Sequence, residues 1–293
     1  MGTWAVIGGD RRQIAMLKGL RRRGISVSAW GIGEFSDTND WQSIAKDADV
    51  IVLPLPTSDD GVRIRSPLQE GVGLRYLNLL NVLKPNALVL GGKLPALWEE
   101  QAKQRGIRIY DYFLSEPLQM YNALPTVEGA ILLALDALPV TLDGCEVAVL
   151  GYGRIGSLLA EKLRNLGARV TVYARKERDL AHARLRHCTA VALQGTDEAS
   201  SLCGLSDQCR IVFNTIPQTI VTEAVLRCWR RDCVLMELAS LPGGFDRSAV
   251  EKLSFSWVLA SALPGKYFPE TAGMILADVL TDLVKEAEHR IDF

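Results

Sequence analysis

Short apolar runs alternate with longer stretches of helical periodicity along the first half of the chain. The apolar runs lie at Trp4–Ile7, Ser26–Trp30, Val50–Leu55, Ala87–Leu90 and Ile107–Tyr110. The helical patterns lie at Gln13–Arg23, Leu74–Leu83 and Ala96–Arg105. Near-continuous apolar strands separated by helices are typical of a parallel sheet with helices on both faces. The pattern therefore predicts a doubly wound α/β domain over residues 1–125.

The second half repeats this rhythm. Its apolar runs lie at Val147–Leu150, Val170–Tyr173, Ile211–Asn214, Val234–Glu237 and Ser256–Leu259. With a linker helix at Val127–Leu138, they predict a second domain over residues 126–268. A C-terminal helix over residues 269–290, apolar on one face, is expected to pack back on the first domain. The predicted fold class is α/β, with two doubly wound parallel-sheet domains and a cleft between them that would favour a ligand.

A glycine-rich turn, Gly151-Tyr152-Gly153-Arg154-Ile155-Gly156, follows the first strand of the second domain and opens a helix. In a dinucleotide-binding βαβ unit, the first glycine makes the tight turn and the second lets the backbone approach the pyrophosphate. The third allows close packing of helix on strand, and the helix N-terminus faces the anion. We therefore predict a Rossmann NAD(P)-binding domain here, with a degenerate domain that has lost its ligand as the alternative.

The end of the following strand indicates which dinucleotide to expect. A carboxylate at this place normally binds the ribose 2′-hydroxyl. This chain has Ala174 there, followed by the cations Arg175 and Lys176. Two cations without a carboxylate suit a 2′-phosphate, so we predict NADP rather than NAD. The same two residues would also fit a solvated strand end.

Ligands of parallel α/β sheets gather at the carboxyl ends of the strands, so the loops that follow strands are candidate sites. Asn214–Pro217 follows the fourth strand of the second domain, where the nicotinamide half of a dinucleotide passes, although a local proline turn has the same composition. The predicted cofactor-binding residues are Gly151, Tyr152, Gly153, Arg154, Ile155, Gly156, Arg175, Lys176, Asn214, Thr215, Ile216, Pro217, Ala239 and Pro264.

We expect the first domain to be flavodoxin-like and to bind the substrate. Cations at its strand ends indicate where an acidic ligand would bind. Arg11 and Arg12 follow its first strand, and Lys93 follows a glycine pair. Solvated surface cations would look the same in the sequence. Glu128 is either an acid/base group or a favourable first-turn carboxylate. The predicted catalytic residues are Lys93 and Glu128, and the predicted substrate-binding residues are Asp10, Arg11, Arg12, Thr57, Asn122 and Thr126.

Charge, cysteine usage and hydropathy indicate which binding partners and which cellular compartment to expect. The net charge of −1, with both signs well mixed, gives no indication of a nucleic-acid or membrane partner. The cysteines form no Cys-x-x-Cys pair and have no histidine at ligand spacing, so we expect no metal site and reduced thiols. The longest apolar helix-like run, Gly129–Leu138, is too short to span a bilayer. These features predict a cytoplasmic protein.

The histidines lie away from the candidate loops. His182, His187 and His289 all occur in polar, helical surroundings. The histidine–carboxylate pair of a 2-hydroxyacid dehydrogenase is therefore missing, which distinguishes this chain from that group of enzymes.

Taken together, the loops resemble those of the dipicolinate synthase A-subunit family of spore-forming bacteria. The resemblance covers essentially the whole chain and rests on Ile7–Gln13, Tyr121–Ala130, Gly151–Gly156, Glu237–Ser240, Pro242–Asp246 and Leu263–Gly273. It implies NADP-dependent oxidation of a cyclic dicarboxylate, either hydroxytetrahydrodipicolinate or dihydrodipicolinate, to pyridine-2,6-dicarboxylate. It also implies that the partner is a flavoprotein-like B-subunit. The setting would be the mother cell during sporulation, in a branch of the lysine pathway.

Two other functions stay open at this point. One is a different two-domain NADP-dependent dehydrogenase that acts on a 2-hydroxy or 2-amino acid. The other is a non-catalytic NADP-binding partner of a flavoprotein, because the binding glycines are clear while no catalytic constellation is. The sequence also leaves a homo-oligomer open.

Overall fold

The computed structural model describes residues 2–69, 71, 73–193 and 198–289. The chain divides into two compact units. Unit 1 consists of residues 1–122 and 264–293, and unit 2 consists of residues 123–263. The changeovers therefore lie between Asn122 and Ala123 and between Leu263 and Pro264, a few residues before the boundaries expected from the sequence.

Unit 1 contains a five-stranded parallel sheet. Its strands are β1 (Trp4–Ile7), β2 (Val27–Trp30), β3 (Val50–Val52), β4 (Leu88–Gly91) and β5 (Arg108–Asp111), and its first helices are α1 (Arg11–Arg22), α2 (Trp41–Ala45), α3 (Tyr76–Leu80) and α4 (Ala96–Lys103). The strand order β2-β1-β3-β4-β5 is that of flavodoxin-like folds. The order reverses between β1 and β3, and the crevice at their carboxyl ends is the favoured ligand position.

Helix α5 (Glu116–Ala137) is longer than the sequence suggested. We expected this helix to begin only at Val127, after Pro125 and Thr126. That expectation is wrong, since the helix begins at Glu116 and continues through Pro125. A proline inside a helix removes one backbone donor without necessarily ending the helix. Unit 1 changes to unit 2 within this helix.

Unit 2 contains a six-stranded parallel sheet. Its strands are β6 (Glu146–Leu150), β7 (Arg169–Ala174), β8 (Thr189–Ala192), β9 (Cys209–Asn214), β10 (Val234–Glu237) and β11 (Trp257–Leu259). The accompanying helices are α6 (Arg154–Asn165), α7 (Glu177–Leu185), α8 (Glu198–Cys203), α9 (Glu223–Cys228) and α10 (Arg247–Lys252). The order β11-β10-β9-β6-β7-β8 is that of a Rossmann domain. The predicted fold class, two parallel-sheet α/β domains of which the second is a Rossmann domain, is confirmed.

Two further elements differ from the expectation. Strand β8 was missed because it lies at the sheet edge, where its residues are only partly buried and its sequence lacks a strong apolar pattern. The segment that begins at Leu263, expected as a loop, forms the short helix α11 (Leu263–Tyr267), which lies in unit 1 apart from Leu263.

A disulfide joins Cys203 and Cys228 at the ends of α8 and α9. The expectation of reduced thiols is wrong for this pair, because neighbouring helix ends bring together residues 25 positions apart with Cα atoms 5.3 Å apart. Cys145, Cys188, Cys209 and Cys233 are free and buried. None of the described helices is long and apolar enough to cross a membrane. Over the same residues, no cluster of histidine, cysteine and acidic side chains could hold a metal ion.

The C-terminal helix α12 (Pro269–His289) packs against α1 within unit 1. Leu276 and Leu280 of α12 share one apolar core with Leu17 and Leu20 of α1. Residue 290, included in the expected helix, lies outside the described residues. Gly273 makes the close approach possible, since a Cβ there would lie under 3.0 Å from atoms of Arg12, Ala15 and Met16.

We predict that Gly273→Ala destabilises unit 1. The added methyl group would meet the α1 backbone, and two packed helices cannot separate locally without losing core contacts. Overpacking of this kind costs about 1–3 kcal/mol, against a gain of about 1 kcal/mol in helix propensity. The midpoint of thermal unfolding, followed by circular dichroism, should fall by about 2–4 °C.

Gly204→Ala provides the matched control for this measurement. A Cβ at Gly204 would lie 3.5 Å from its nearest neighbour, which is ordinary van der Waals contact. Equal midpoints for the two variants would contradict the close packing of α12 on α1.

Candidate functional site

The three glycines of the turn between β6 and α6 have different structural roles. Gly151 has a φ of +95°, and a Cβ there would collide with the Thr215 hydroxyl. A Cβ at Gly156 would collide with the Gly151 carbonyl. At Gly153, by contrast, a Cβ would have no atom of the described residues within 4 Å. The outer glycines are therefore required by packing, and the middle one keeps the space outside the turn open for a phosphate.

The N-terminus of α6 fits an anionic ligand. Its N-cap is Gly153, and within the described part of the chain no side chain caps it. The first amides of a helix have no partner within the helix and carry partial positive charge, so an uncapped start suits a pyrophosphate. In unit 1 the corresponding helix α1 is different, because the Asp10 side chain and Gln13 form a capping box there. The structure thus fits a dinucleotide at α6.

The side chains within the glycine turn point in different directions. Arg154 is exposed at the first position of α6, and Ile155 is half-buried. The Tyr152 hydroxyl is buried and has no hydrogen-bond partner among the described residues. Burial raises the pKa of Tyr152, so this phenol stays neutral. Tyr152 therefore contributes mainly an apolar ring to the turn.

Arg175 lies directly after β7, where the adenine ribose of a dinucleotide is expected. Its Nε atom lies 2.9 Å from Oε1 of Glu198. Its Nη1 and Nη2 atoms donate to Oε1 of Gln218 at 3.2 and 3.3 Å. Lys176 is exposed and is the N-cap residue of α7. Of the two predicted cations, Arg175 thus already binds a carboxylate.

The end of β9 is organised around the buried carboxylate of Glu237. One of its oxygens accepts hydrogen bonds from Asn214 Nδ2 at 2.6 Å and from the Ala239 amide at 3.0 Å. The other accepts from the Gly244 amide at 2.8 Å. The Asn214 side chain is completely buried and also bonds both backbone groups of Ile216. Asn214 therefore shapes the loop, and the residues after it are the ones left to meet a ligand.

The remaining predicted cofactor residues differ in burial and in the unit to which they belong. Thr215 donates through its hydroxyl to the Leu150 carbonyl at 2.8 Å, which ties the β9 loop to the glycine turn. Ile216 is half-buried, Pro217 is exposed and Ala239 is partly exposed. Pro264, in α11, is buried and belongs to unit 1.

At the strand-order reversal of unit 1, two arginines converge on Asp10. Arg12 Nε and Nη2 lie 3.0 and 2.8 Å from its carboxylate oxygens, and Arg65 Nη1 lies 3.1 Å away. Arg12 also donates to the Leu55 carbonyl after β3. Burial on its own would raise the pKa of Asp10. The hydrogen bonds and charge of Arg12, helped by Arg65, outweigh burial and hold that pKa below its ordinary value. Asp10 is therefore ionised at neutral pH, and its ion pairs are lost only in acid.

The other predicted residues of unit 1 differ in how they could meet a ligand. Arg11 is exposed at the start of α1. Thr57 is completely buried, and its hydroxyl lies within hydrogen-bond distance of the Pro54 and Gly92 carbonyls. Thr57 thus holds two strand-end loops together. Lys93 is exposed, has a φ of +55° and places Nζ 4.8 Å from the centre of the Phe113 ring.

Three predicted residues lie on α5, of which Asn122 and Thr126 were expected before the start of this helix and Glu128 in its first turn. Asn122 and Thr126 are partly buried, and Glu128 is exposed. Asn122 belongs to unit 1, whereas Thr126 and Glu128 belong to unit 2.

Sequence reasoning missed Arg65, Glu198 and the role of Glu237. Arg65 and Glu198 lie in segments without a motif, far along the chain from the residues they contact. Glu237 carried a usable signal, because an acidic residue at the end of an apolar strand needs buried donors, and the glycine pair Gly243-Gly244 follows it.

Comparison with known proteins gives two family matches. Residues 3–113 match the N-terminal domain of the dipicolinate synthase A-subunit. Residues 111–228 match the NAD-binding domain of D-isomer-specific 2-hydroxyacid dehydrogenases. The first match covers the five strands of unit 1. The second match covers the glycine turn between β6 and α6 in unit 2.

Individual relatives cover nearly the full length. The dipicolinate synthase A-subunit of Bacillus subtilis (strain 168) is 33% identical over 296 residues, which cover 97% of this chain and 96% of the relative. The crystal structure of the dipicolinate synthase A-subunit from Bacillus halodurans has a TM-score of 0.85 at 28% identity and covers 96% of this chain and 97% of its own. The corresponding Bacillus subtilis structure has a TM-score of 0.85 at 29% identity, with coverage of 98% and 97%.

These matches agree with the architecture and with the family resemblance seen in the loops. The dehydrogenase-type NAD-binding domain, together with the full-length relative, identifies the chain as an oxidoreductase. The chain belongs to the dipicolinate synthase A-subunit family.

Proposed function

We propose that this protein catalyses the NADP-dependent oxidation of a cyclic dicarboxylate to pyridine-2,6-dicarboxylate. The substrate is dihydrodipicolinate, or hydroxytetrahydrodipicolinate that first loses water. Removal of one hydride and one proton from dihydrodipicolinate gives the aromatic pyridine. The observation that carries the proposal is the arginine pair, Arg12 and Arg65, at the strand-order reversal of a sheet whose family works on a dicarboxylate.

Charge at this position supports an acidic substrate. Arg12 is nine-tenths buried and is held in place by Asp10 and the Leu55 carbonyl. Arg65 uses Nη1 and Nε for Asp10 and for the exposed Asp59, and a guanidinium carries further N–H donors. A substrate carboxylate can replace the solvent-exposed Asp59 on Arg65 at little cost, because exposed ion pairs are weak. Arg11 and Lys93 add exposed positive charge in the same unit.

The residues of unit 2 bind and orient the cofactor. The uncapped first turn of α6 holds the pyrophosphate, and the open position at Gly153 lets it approach. The loop fixed by Glu237 and Asn214 limits how the nicotinamide half can lie. NADP⁺, when bound, supplies the hydride acceptor.

Positioning is the main demand on this site. Because the product is aromatic, hydride removal is strongly favourable, and orientation of the reacting carbon contributes most to the rate. Lys93 and Glu128 are our candidates for the group that accepts the proton. Both side chains are exposed in this structure and reach solvent. A strong base is not required when aromatisation drives proton loss.

Membership of the family supports a proposed partner and a proposed setting. An enzyme with an A-subunit also has a B-subunit, and we propose that this flavoprotein-like second chain is the partner of the protein. We propose the cytoplasm of the mother cell of a sporulating bacterium as its location. The reaction would supply the pyridine dicarboxylate that accumulates in the spore.

A coupled assay tests the proposed reaction. Dihydrodipicolinate synthase generates the substrate in place, and NADP⁺ or NAD⁺ is added to the purified chain with and without the flavoprotein-like partner. We expect reduced cofactor and pyridine-2,6-dicarboxylate, each followed by its own absorbance, to rise together. Turnover of simple 2-oxo acids instead would favour another dehydrogenase, and cofactor binding without any turnover would favour a non-catalytic partner.

Arg175→Ala should weaken the binding of NADP⁺ much more than that of NAD⁺, because only NADP⁺ offers a 2′-phosphate to the guanidinium. Loss of a charge-assisted hydrogen bond corresponds to about a tenfold or greater rise in Kd. Isothermal titration calorimetry measures both constants. Arg169→Ala is the control, since Arg169 is an exposed arginine at the opposite end of β7. Equal losses for both cofactors in Arg175→Ala would remove the NADP assignment.

Arg65→Ala should raise the KM for the dicarboxylate by about tenfold or more, because a charged hydrogen bond to the substrate is lost. The Kd of the cofactor should not change, since Arg65 lies in unit 1 and the glycine turn before α6 lies in unit 2. Arg63→Ala is the matched control, because Arg63 is an exposed neighbour paired only with its own loop residue Asp60 among the described ion pairs. An unchanged KM in Arg65→Ala would show that Arg65 has only a structural role.

A further inference from the structure

The carboxylate of Glu198 lies where the 2′-phosphate of NADP is expected to bind. Glu198 is the first residue of α8, in the segment that follows β8. Its two oxygens lie 2.9 and 3.5 Å from Nε and Nη2 of Arg175. Gln218, in the loop after β9, accepts from Nη1 and Nη2 of the same guanidinium. Arg175 is thus bound from two strand-end segments at once.

The contact between Arg175 and Glu198 lies at the position where the cofactor's ribose is expected. Arg175 follows the second strand of the Rossmann unit, whose end faces the adenine ribose. A carboxylate and a phosphate bind a guanidinium in similar geometry, so they compete for it. The Glu198 side chain is 27% exposed and that of Arg175 is 45% exposed, so a ligand can reach the pair from solvent.

We propose that Glu198 sets the choice between NADP and NAD by competing with the 2′-phosphate for Arg175. This inference rests on the proposed binding of a nicotinamide dinucleotide at the N-terminus of α6. NADP binding has to displace Glu198 from Arg175 and brings a phosphate close to its negative charge. NAD has a hydroxyl in place of that phosphate, and a hydroxyl can donate to the carboxylate without displacing it. Glu198 therefore weakens NADP binding relative to NAD binding.

The size of the effect follows from the exposure of the pair. Partly exposed ion pairs are worth up to about 1 kcal/mol, which corresponds to about a fivefold change in a binding constant. Removing the charge of Glu198 should therefore raise the preference for NADP over NAD by about three- to fivefold. The gain should come from tighter binding of NADP, because NAD loses at most one hydrogen bond.

Equilibrium titration of the full-length chain with NADP⁺ and NAD⁺ tests this proposal. The variants are Glu198→Gln, which keeps the shape of the side chain, and Glu198→Ala, which removes every acceptor. Glu251→Gln is the matched control, because Glu251 forms an exposed ion pair with Arg247 in the same unit. We expect both Glu198 variants to shift the ratio of the two Kd values towards NADP, and Glu251→Gln to leave it unchanged. An unchanged or reversed ratio in the Glu198 variants would overturn the proposal.

A double variant separates competition for Arg175 from simple charge repulsion. In an Arg175→Ala background there is no guanidinium to compete for, so adding Glu198→Gln should change the ratio of Kd values much less. An equally large shift with and without Arg175 would overturn competition as the mechanism.

The same data test the NADP assignment separately. A wild-type chain that binds NAD more tightly, with Arg175→Ala affecting both cofactors equally, would remove that assignment. A shift towards NADP in Glu198→Gln that disappears in the Arg175→Ala background would still support competition by Glu198 for Arg175.

Discussion

The dinucleotide-binding unit depends on how closely the first turn of α6 approaches the ends of β6 and β9. The Gly151 carbonyl and the Thr215 hydroxyl occupy the space that side chains at positions 151 and 156 would need. Thr215 in turn donates to the Leu150 carbonyl, so the loop after β9 and the turn after β6 share one packed contact. This contact fixes the direction of the α6 amides at the strand edge. The neighbouring loop is fixed in a similar way, by the buried Glu237 carboxylate and the backbone amides that donate to it.

The two units use their first strand–helix turns for different purposes. In unit 1 the carboxylate of Asp10 caps α1 and neutralises the partial positive charge of the helix start. Asp10 also orients Arg12 and Arg65, so this turn presents cationic side chains. In unit 2 no side chain of the described residues caps α6, and the turn presents backbone amides. The first strand–helix turn therefore presents cationic side chains in unit 1 and main-chain amides in unit 2.

Much of this arrangement could be predicted from local sequence, and the rest depends on contacts distant along the chain. The buried strands and the glycine turn were identifiable because apolar runs and glycine spacing are local signals. The edge strand β8 could not be predicted because its local preference for a strand is weak. The continuation of α5 through Pro125 could not be predicted because tertiary packing outweighs the local preference of proline to end a helix. The Cys203–Cys228 disulfide, the Arg65–Asp10 pair and the Arg175–Glu198 pair join separate segments. Only the folded chain shows which segments meet.

Unit 1 is assembled from both ends of the chain, whereas unit 2 is one continuous segment. During synthesis from the N-terminus, β1 to β5 and α1 emerge long before α12, which supplies Leu276 and Leu280 to their core. Until then the α1 face around Leu17 and Leu20 lacks its cover, while unit 2 already has all its strands. During synthesis, unit 2 can therefore be complete while unit 1 still lacks α12. A fragment ending at residue 122 would keep that apolar face exposed, so residues 123–263 form the segment better suited to separate expression.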